Sequence, residues 1–476
     1  MIKKFLTRYN FNYPRSLVYM LQSCEYGVKN YLAWYHRTDD FSQVEQRKEL
    51  DLTVRAKITL IATLFVYFSL IILSFLLIFN LSAPYKIVTL VCAIILIPHI
   101  TAYFVAFFSM IIELSIKKPI EFFIAKKTEK ILKKSNAIKI AIAGSYGKTT
   151  MREILRTVLS EGRKVSAPSH NHNTLIGIAR FVEKLNGEDA LIFELGEYYP
   201  GDVKKLCKII KPDIGIITGV NEAHLERSGS LKTTTSMIFE LAGFTKGANL
   251  YLNGEDDLVV GNISQDNIIY SRFGIGEYKV NTPSTDLSGL SFSTLIKERE
   301  VILKSELLGL HLIGPIMTAL DIGLRLGLSI DEIKRGISAT KPFPHRLNPK
   351  IDGSGVVIID DTYNGNPDGV AAAIDFLSSL SGSRRFYITP GLVEMGERTE
   401  KVHREIGKRL AVANIEKIVL IKNSVTPFIE KGFKEENGRG EIIWFDDVFM
   451  LFASLPLLTA KGDVVLLQND WSDQYQ

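Results

Sequence analysis

The chain has 476 residues, 46% of them hydrophobic and 23% charged, a balance that excludes a disordered chain or a coiled-coil array as the main state. Fifty-seven Lys and Arg against 52 Asp and Glu leave a net charge of +5, too small a surplus to mark a nucleic-acid binder. Cys24, Cys92 and Cys207 stand far apart with no CxxC pair, so neither a disulfide framework nor a cysteine zinc site is expected, as suits a reducing compartment. At about 150 residues per domain the length predicts roughly three domains.

Residues 1–56 are rich in Tyr and in charge and read as amphipathic helical segments on the cytoplasmic surface, without a chemical constellation. Residues 57–114 hold the apolar excess behind the mean hydropathy of +0.12. From Ile58 to Phe79 no residue is charged. As a helix that run is about 33 Å long, enough to cross the hydrocarbon of a bilayer. A second uncharged run, Ile87 to Ile112, follows after NLSAPYK and contains Pro98, which predicts a kink. Two such runs in tandem predict a transmembrane helical hairpin rather than a soluble core. A signal peptide is not expected, because the first run starts late, is too long and lacks a small-residue cleavage site.

Arg47, Lys48, Arg55 and Lys57 precede the first span, and Lys117, Lys118, Lys126, Lys127, Lys130, Lys133 and Lys134 follow the second, whereas the loop between holds only Lys86. The positive-inside rule therefore predicts a multi-pass protein of the inner cell membrane, with its N-terminus and the residues after the hairpin in the cytoplasm. His99, with no carboxylate in either span to relay a proton, is expected to pack rather than to conduct. Residues 115–136 read as a basic linker, suited either to anionic lipid headgroups or to a solvated helical face.

From Ala137 the pattern becomes α/β. IKIAIAG is a short strand ending in glycine, and TTMREILRTVLSEG is a helix with Met151, Ile154, Leu155, Val158 and Leu159 on one face. ALIFEL and DIGIITGV are further strands, so a parallel sheet covered on both faces is expected over 137–341. Within it, 249–308 reads as a β-rich subregion. KPFPHR, with Pro342 and Pro344, marks a boundary, and four strand patterns separated by helices predict a second, Rossmann-like α/β domain over 342–476.

The strongest chemical signal is Gly144-Ser145-Tyr146-Gly147-Lys148-Thr149-Thr150, between strand and helix. Its glycines let backbone N–H groups converge on phosphate, Lys148 can reach the β- and γ-phosphates, and Thr149 can ligate Mg²⁺. Ile142 stands where the longer Walker spacing would place its first glycine, so this is the shorter GxxGKT[ST] form. Glu194 ends one predicted strand, and Asn221-Glu222-Ala223-His224 follows another. In a parallel sheet both lie beside the phosphate loop, where Glu194 and His224 can hold metal bridging ATP and a substrate.

These stretches, with SHNHNTLIG, LNGEDD, FPHRLN, VVIIDDTYNGNPDGVAAAIDFL and LVEMGERTEKVHREIG in the same order, resemble the Mur ligases. The resemblance covers about 335 residues from Ala137 to Leu467. It implies a P-loop ATPase domain, a C-terminal α/β domain and an ATP- and Mg²⁺-dependent, ADP-forming peptide ligase of peptidoglycan precursor synthesis. A muramoyl-peptide carboxylate would be activated as an acyl phosphate and attacked by an amino-acid or dipeptide amine such as D-alanyl-D-alanine. It further implies that Gly144, Ser145, Gly147, Lys148, Thr149 and Thr150 hold ATP, that Thr149, Glu194 and His224 hold Mg²⁺, and that Lys148, Glu194 and His224 are catalytic. By the same likeness Arg346 meets the nucleotide phosphates and Asp361 the ribose. Asn171 and Asn173 would face the acceptor, and Tyr363, Asn364 and Asn366 the incoming amine.

The pattern departs from the family at four places. Ile238 stands where many Mur ligases have a metal-supporting lysine, with Glu240 beyond it. Pro315 replaces an adenine-contacting asparagine. The last strand runs into LLQNDWSDQY rather than a KGS-type segment. The hairpin replaces a UDP-sugar domain. The hairpin leaves a lipid-linked or other carboxylate open as the acceptor and membrane lipid as a partner. Ile238 and Pro315 leave open a catalytically weak nucleotide-binding scaffold. A two-span chain makes no evident transport pathway.

Overall fold

The computed structural model describes residues 7–44, 49–169, 172–222, 229–245, 247–363, 365–393 and 395–469. The chain forms two compact units, Met1–Phe123 and Ile124–Gln476.

In the first unit, short helices α1 (Tyr13–Ser23) and α2 (Val28–Arg37) precede the long helices α3 (Val54–Asn80) and α4 (Ala83–Ile112). Thr53 caps α3 by accepting from the Ala56 N–H, and Pro84 occupies the first turn of α4, where a missing N–H costs nothing. The two predicted spans lie within α3 and α4, which pack together as a hairpin. Large apolar side chains along it face outward, among them Phe65 (73% exposed), Phe79 (78%) and Ile87 (68%). A helix pair from a soluble core would bury these.

The described part of the N-terminal segment is helical, as the sequence predicts. Helices α1 and α2 pack on α3 and α4, and Tyr13, Leu17, Met20, Tyr31 and Tyr35 are buried. Pro98 lacks the N–H that would serve the Ile94 carbonyl one turn earlier, and the Tyr9 hydroxyl donates to that carbonyl. Tyr13 donates to the Pro98 carbonyl (2.9 Å) and Tyr31 to that of Ala102 (3.0 Å). His99 Nδ1 and the Tyr35 hydroxyl share a 2.8 Å hydrogen bond, so the histidine does pack. The predicted basic linker is helical: a π turn, Glu113–Lys117, runs into α5 (Lys118–Lys134).

In the second unit the first sheet has ten strands. Its parallel part orders as β6 (Ile268–Ser271), β5 (Leu250–Asn253), β4 (Ile214–Ile217), β1 (Ile138–Ala143), β3 (Ala190–Glu194) and β2 (Val165–Ser166). An antiparallel extension, β7 (Gly274–Ile275), β8 (Tyr278–Asp286), β9 (Gly289–Ile296) and β10 (Arg299–Ser305), forms the predicted β-rich subregion. One face of the parallel strands is covered by α6 (Lys148–Leu159), α11 (Ile313–Arg325) and α12 (Ile330–Ser338). All five apolar positions predicted on α6 are buried there. The other face is covered by α7 (Leu175–Val182), α8 (Asp202–Ile210) and α9 (Leu231–Ile238). The short helix α10 (Asp257–Val260) follows β5.

The second sheet has six strands in the order β11 (Asn348–Ile351), β12 (Val357–Asp361), β16 (Val464–Gln468), β13 (Arg385–Thr389), β14 (Lys417–Ile421) and β15 (Glu441–Phe445). All pairs are parallel except the edge strand β11. The sequence reading misses β11 and β15, which are short edge strands and largely unburied. Around this sheet lie α13 (Pro367–Ser379), α14 (Thr399–Val412), α15 (Thr426–Glu435) and α16 (Val448–Leu458).

Helices α14 and α15 pack with their backbones in contact. A Cβ at Gly432 would lie 2.0 Å from the Arg404 carbonyl oxygen, and one at Gly407 would lie 2.0 Å from that of Ile429. Neither obstacle is a side chain that can rotate away. Gly432→Ala is therefore expected to destabilise the C-terminal domain by about 2–3 kcal/mol, seen as an earlier urea midpoint for that domain; an unchanged midpoint contradicts the close packing.

Candidate active site

The phosphate loop is shaped by what its glycines permit. Gly144 has φ +145°, and a Cβ there would fall 2.2 Å from Thr218 Oγ1. Gly147, at φ +73°, turns the chain into α6. The Ser145 N–H donates to the Gly219 carbonyl (2.8 Å), which ties the loop to the end of β4. The Ser145 hydroxyl is buried and has no partner among the described residues. A buried hydroxyl in a loop of this shape is an acceptor and donor left for a ligand, and it fits a phosphate oxygen.

Lys148 opens α6. Its ammonium is held by Glu197 Oε1 (2.6 Å) and by the Gly144 carbonyl. Thr149 Oγ1 donates to both Glu194 oxygens (3.2 and 3.1 Å). Glu194 ends β3, which pairs with β1 so that Glu194 lies opposite Ile142, just before the loop. It is 7% exposed and is also bound by Arg152 Nη1 at 3.2 Å. A threonine hydroxyl beside a carboxylate is the hard-oxygen set that Mg²⁺ takes. His224, the third expected metal residue, lies outside the described residues, as do Asn171 and Asn364. Among the described residues no three His, Cys, Asp or Glu side chains cluster as a metal site. Thr150 follows Thr149 in the first turn of α6.

Asp256, missed by the sequence reading, links the loop to the β4 end. Its carboxylate accepts from the Tyr146 hydroxyl (2.9 Å), the Val220 N–H (2.8 Å) and the Val259 N–H (2.8 Å). Burial, then the nearby Asp368 and Asp256 charges, push the Tyr146 phenol far above its usual pKa. From the same β4 end, Asn221 Nδ2 donates across to Asp368 Oδ2 (2.8 Å) and Asn366 Oδ1 (3.0 Å), while Glu222 pairs with Arg398 at 2.6 Å. Burial raises the Asp368 carboxyl and the Asn221 bond partly offsets it. These contacts bring the second sheet's domain against the phosphate-loop domain. A cleft of ≈ 800 Å³ adjoins them, lined by Glu222, Pro367, Arg398 and the facing sides of α13 and α14; it does not include the phosphate loop.

Arg346 stacks over the Tyr363 ring, 4.9 Å from its centroid. Burial pulls its pKa down, and Asp361, Tyr363 and Glu194 oppose that shift, so this arginine is in electrostatic reach of the loop carboxylate. Asp361 is pushed up by burial. Its oxygens are already engaged, accepting from the Leu347 N–H (3.1 Å) and Gln468 Nε2 (2.7 Å). Asn366 is the N-cap of α13, accepting from the Gly369 N–H at 3.0 Å. Asn173 is 8% exposed, its carbonyl accepts from Gly196 N–H beyond β3, and its side-chain Oδ1 has no partner among the described residues.

The departures also have clear places. Ile238 is fully buried in the apolar layer beneath the sheet. Glu240 is spent on α8, accepting from the Gly201 N–H (3.0 Å) and the Lys204 N–H (2.8 Å). Neither stands in for the family lysine. Pro315 lies in the first turn of α11. Where the KGS-type segment would lie, Asn469 bridges two loops, accepting from the Gly365 N–H at 2.9 Å and donating to the Gly391 carbonyl.

Comparison with known proteins matches two family models in this order: the Mur ligase middle domain over residues 142–322, and the Mur ligase, glutamate ligase domain over 345–468. Neither reaches the N-terminal unit. The UDP-N-acetylmuramoyl-tripeptide–D-alanyl-D-alanine ligase of Bacillus subtilis is 25% identical over 333 residues, 69% of this chain and 72% of that protein. Its Escherichia coli counterpart is 25% identical over 345 residues, with the same shares. In fold, the crystal structure of a MurF ligase from Thermotoga maritima in complex with ADP superposes with a TM-score of 0.64 at 24% identity, covering 74% of this chain and 80% of that one.

His403 of α14 offers a test of how this domain's loops are held. It is fully buried. Its Nε2 accepts from the Leu392 N–H (2.9 Å) and its Nδ1 faces the Thr399 carbonyl (2.6 Å), so the ring is neutral, with its proton on Nδ1. Burial lowers its pKa. The depressed value means that its stabilisation is complete above the unfolded value near about 6.5 and is lost as pH falls below it. The thermal midpoint is expected to drop between pH 7 and pH 5, and His403→Gln, which keeps an acceptor and cannot titrate, should flatten that drop.

Proposed function

This chain belongs to the Mur ligase family, and from that premise we propose that it is an ATP-dependent, ADP-forming peptide ligase that joins D-alanyl-D-alanine to a UDP-muramoyl-tripeptide, working from a membrane anchor. The observation that carries the reading is the convergence of Lys148, Thr149 and Glu194 on one glycine loop, facing a second domain attached through Asn221 and Asp368.

A carboxylate is a poor electrophile, and phosphoryl transfer from ATP gives it a leaving group. Lys148 exchanges its Glu197 contact for the β- and γ-phosphate oxygens, offsetting charge that builds during transfer. Backbone N–H groups of the glycine loop and the Ser145 hydroxyl orient the phosphates. Thr149 and Glu194 would hold Mg²⁺, which supplies Lewis-acid stabilisation of the transferring group. Arg152 keeps Glu194 aimed; removing one partner of such a buried pair costs about 3–5 kcal/mol. Arg346 adds positive charge from the second domain. The resulting acyl phosphate is attacked by the amine and phosphate leaves. A domain boundary at KPFPH suits closure over three reactants. No step passes through Ile238, and a second metal ion held in the family manner does not fit this chain.

Membrane attachment rests on the two uncharged runs of the hairpin, Ile58 to Phe79 and Ile87 to Ile112, and their outward apolar side chains. It concentrates the enzyme where a lipid-linked acceptor would also be met, and that acceptor is the second arm of the test.

Purified full-length protein with ATP and Mg²⁺ is expected to release ADP only when both UDP-muramoyl-tripeptide and D-alanyl-D-alanine are present. Turnover only with a lipid-linked acceptor replaces the first substrate, and nucleotide binding without turnover overturns the ligase reading. Lys148→Ala should lower turnover by about a hundredfold or more while the protein still resists alkaline extraction from membranes; full activity refutes the assigned loop.

A further inference from the structure

Helix α16 of the C-terminal domain has an apolar face on both sides. Leu451 and Leu455 point inward and pack with Val356, Phe386 and Val465 on the sheet. Its most exposed large side chains are apolar too: Phe449 is 82% exposed, Met450 54%, Phe452 49% and Leu457 88%, and the helix's single hydroxyl, on Ser454, is half-buried. Surface helices normally turn polar residues to water, and a contiguous exposed apolar patch marks an interaction site. At 11 residues the helix is about 16 Å long, far too short to span a bilayer, so it can only lie against one.

We propose that α16 is a second membrane contact, which lays the C-terminal domain against the lipid surface that holds the hairpin. The proposal rests on the membrane reading of that hairpin. Three observations favour lipid over a protein partner. The exposed side chains of the helix, Phe449, Met450, Phe452 and Leu457 among them, form no hydrogen bonds, whereas protein interfaces carry about one hydrogen bond per 100–200 Å² and acyl chains ask for none. The same chain already exposes a long apolar hairpin, and a chain held by it meets bilayer at high effective concentration. A cation stands beyond the helix's C-terminal end, where Lys461 is exposed, as suits anionic headgroups, while Arg384, which donates to the Leu458 carbonyl at 3.0 Å, is paired with Asp463 at 2.6 Å. The acidic end is partly neutralised, since Asp446 pairs with Lys422 at 2.7 Å and Asp447 caps the helix through the Met450 N–H.

Full-length protein is reconstituted into phosphatidylethanolamine–phosphatidylglycerol vesicles with or without dibrominated acyl chains, and tryptophan emission is read as the difference from the unsubstituted chain. Phe449→Trp is expected to lose its added emission to bromine and to show a blue-shifted maximum. Phe273→Trp, at a 72% exposed position of the phosphate-loop domain, should not be quenched. Phe75→Trp reports on the hairpin separately. Quenching at 75 but not at 449 overturns the second contact and leaves the anchor standing; no quenching at either removes both. A shift at 449 that depends on protein concentration and not on bromine assigns the face to a second copy of the chain, and one abolished by deleting residues 470–476 assigns it to the chain's own end; either overturns the proposal.

Discussion

A carboxylate buried at the end of β3 organises the site. Glu194 is almost wholly shielded from water, and an ionised carboxylate there is tolerable only if it is paired and hydrogen-bonded. Arg152 supplies the charge and Thr149 the hydroxyl, and both come from the helix that the glycine loop launches. The loop, the first turns of α6 and the ends of β1 and β3 are therefore placed together by one electrostatic requirement. Gly144 and Gly147 allow it: a Cβ at Gly144 would clash with Thr218, and Gly147 takes a left-handed φ of +73°.

From that centre the polar contacts run outward through Asp256. One carboxylate receives the phosphate-loop tyrosine and the backbone at the end of β4. The next residue along, Asn221, reaches the other domain. Geometry at the phosphates and contact between domains are thus linked by three short hydrogen-bond steps. Most of these groups are half-buried or buried, where each bond is stronger than in water and each loss is more costly. Such a chain of contacts suits an enzyme that has to assemble its site from two domains.

The N-terminal unit answers a different constraint. Proline in α4 leaves a carbonyl without its helical partner, and in apolar surroundings an unpaired carbonyl is expensive. Tyrosines from the preceding segment cover that turn, with Tyr9, Tyr13 and Tyr31 donating to backbone carbonyls between Ile94 and Ala102. These three tyrosines explain part of the segment's tyrosine-rich composition: each supplies apolar area to the hairpin and a donor to its backbone.

Much was legible from sequence, because it depends on local order along the chain. The alternation of strand and helix, the glycine turn before Lys148, the buried face of α6 and the length of the apolar helices all follow from period and spacing. Placement of Glu194 beside Thr149 also follows, since strands of a parallel sheet end on one side. Partners distant in sequence were not legible. Nothing local tells that Glu197 would hold Lys148, that Arg152 would turn inward to Glu194, that Asp256 would receive Tyr146, or that Asn366 and Asp361 would be engaged by protein groups. Those choices depend on which polar atoms the packed layers leave facing one another. Only the tertiary structure decides that, because desolvation makes each buried donor and acceptor find its partner in space, not in sequence.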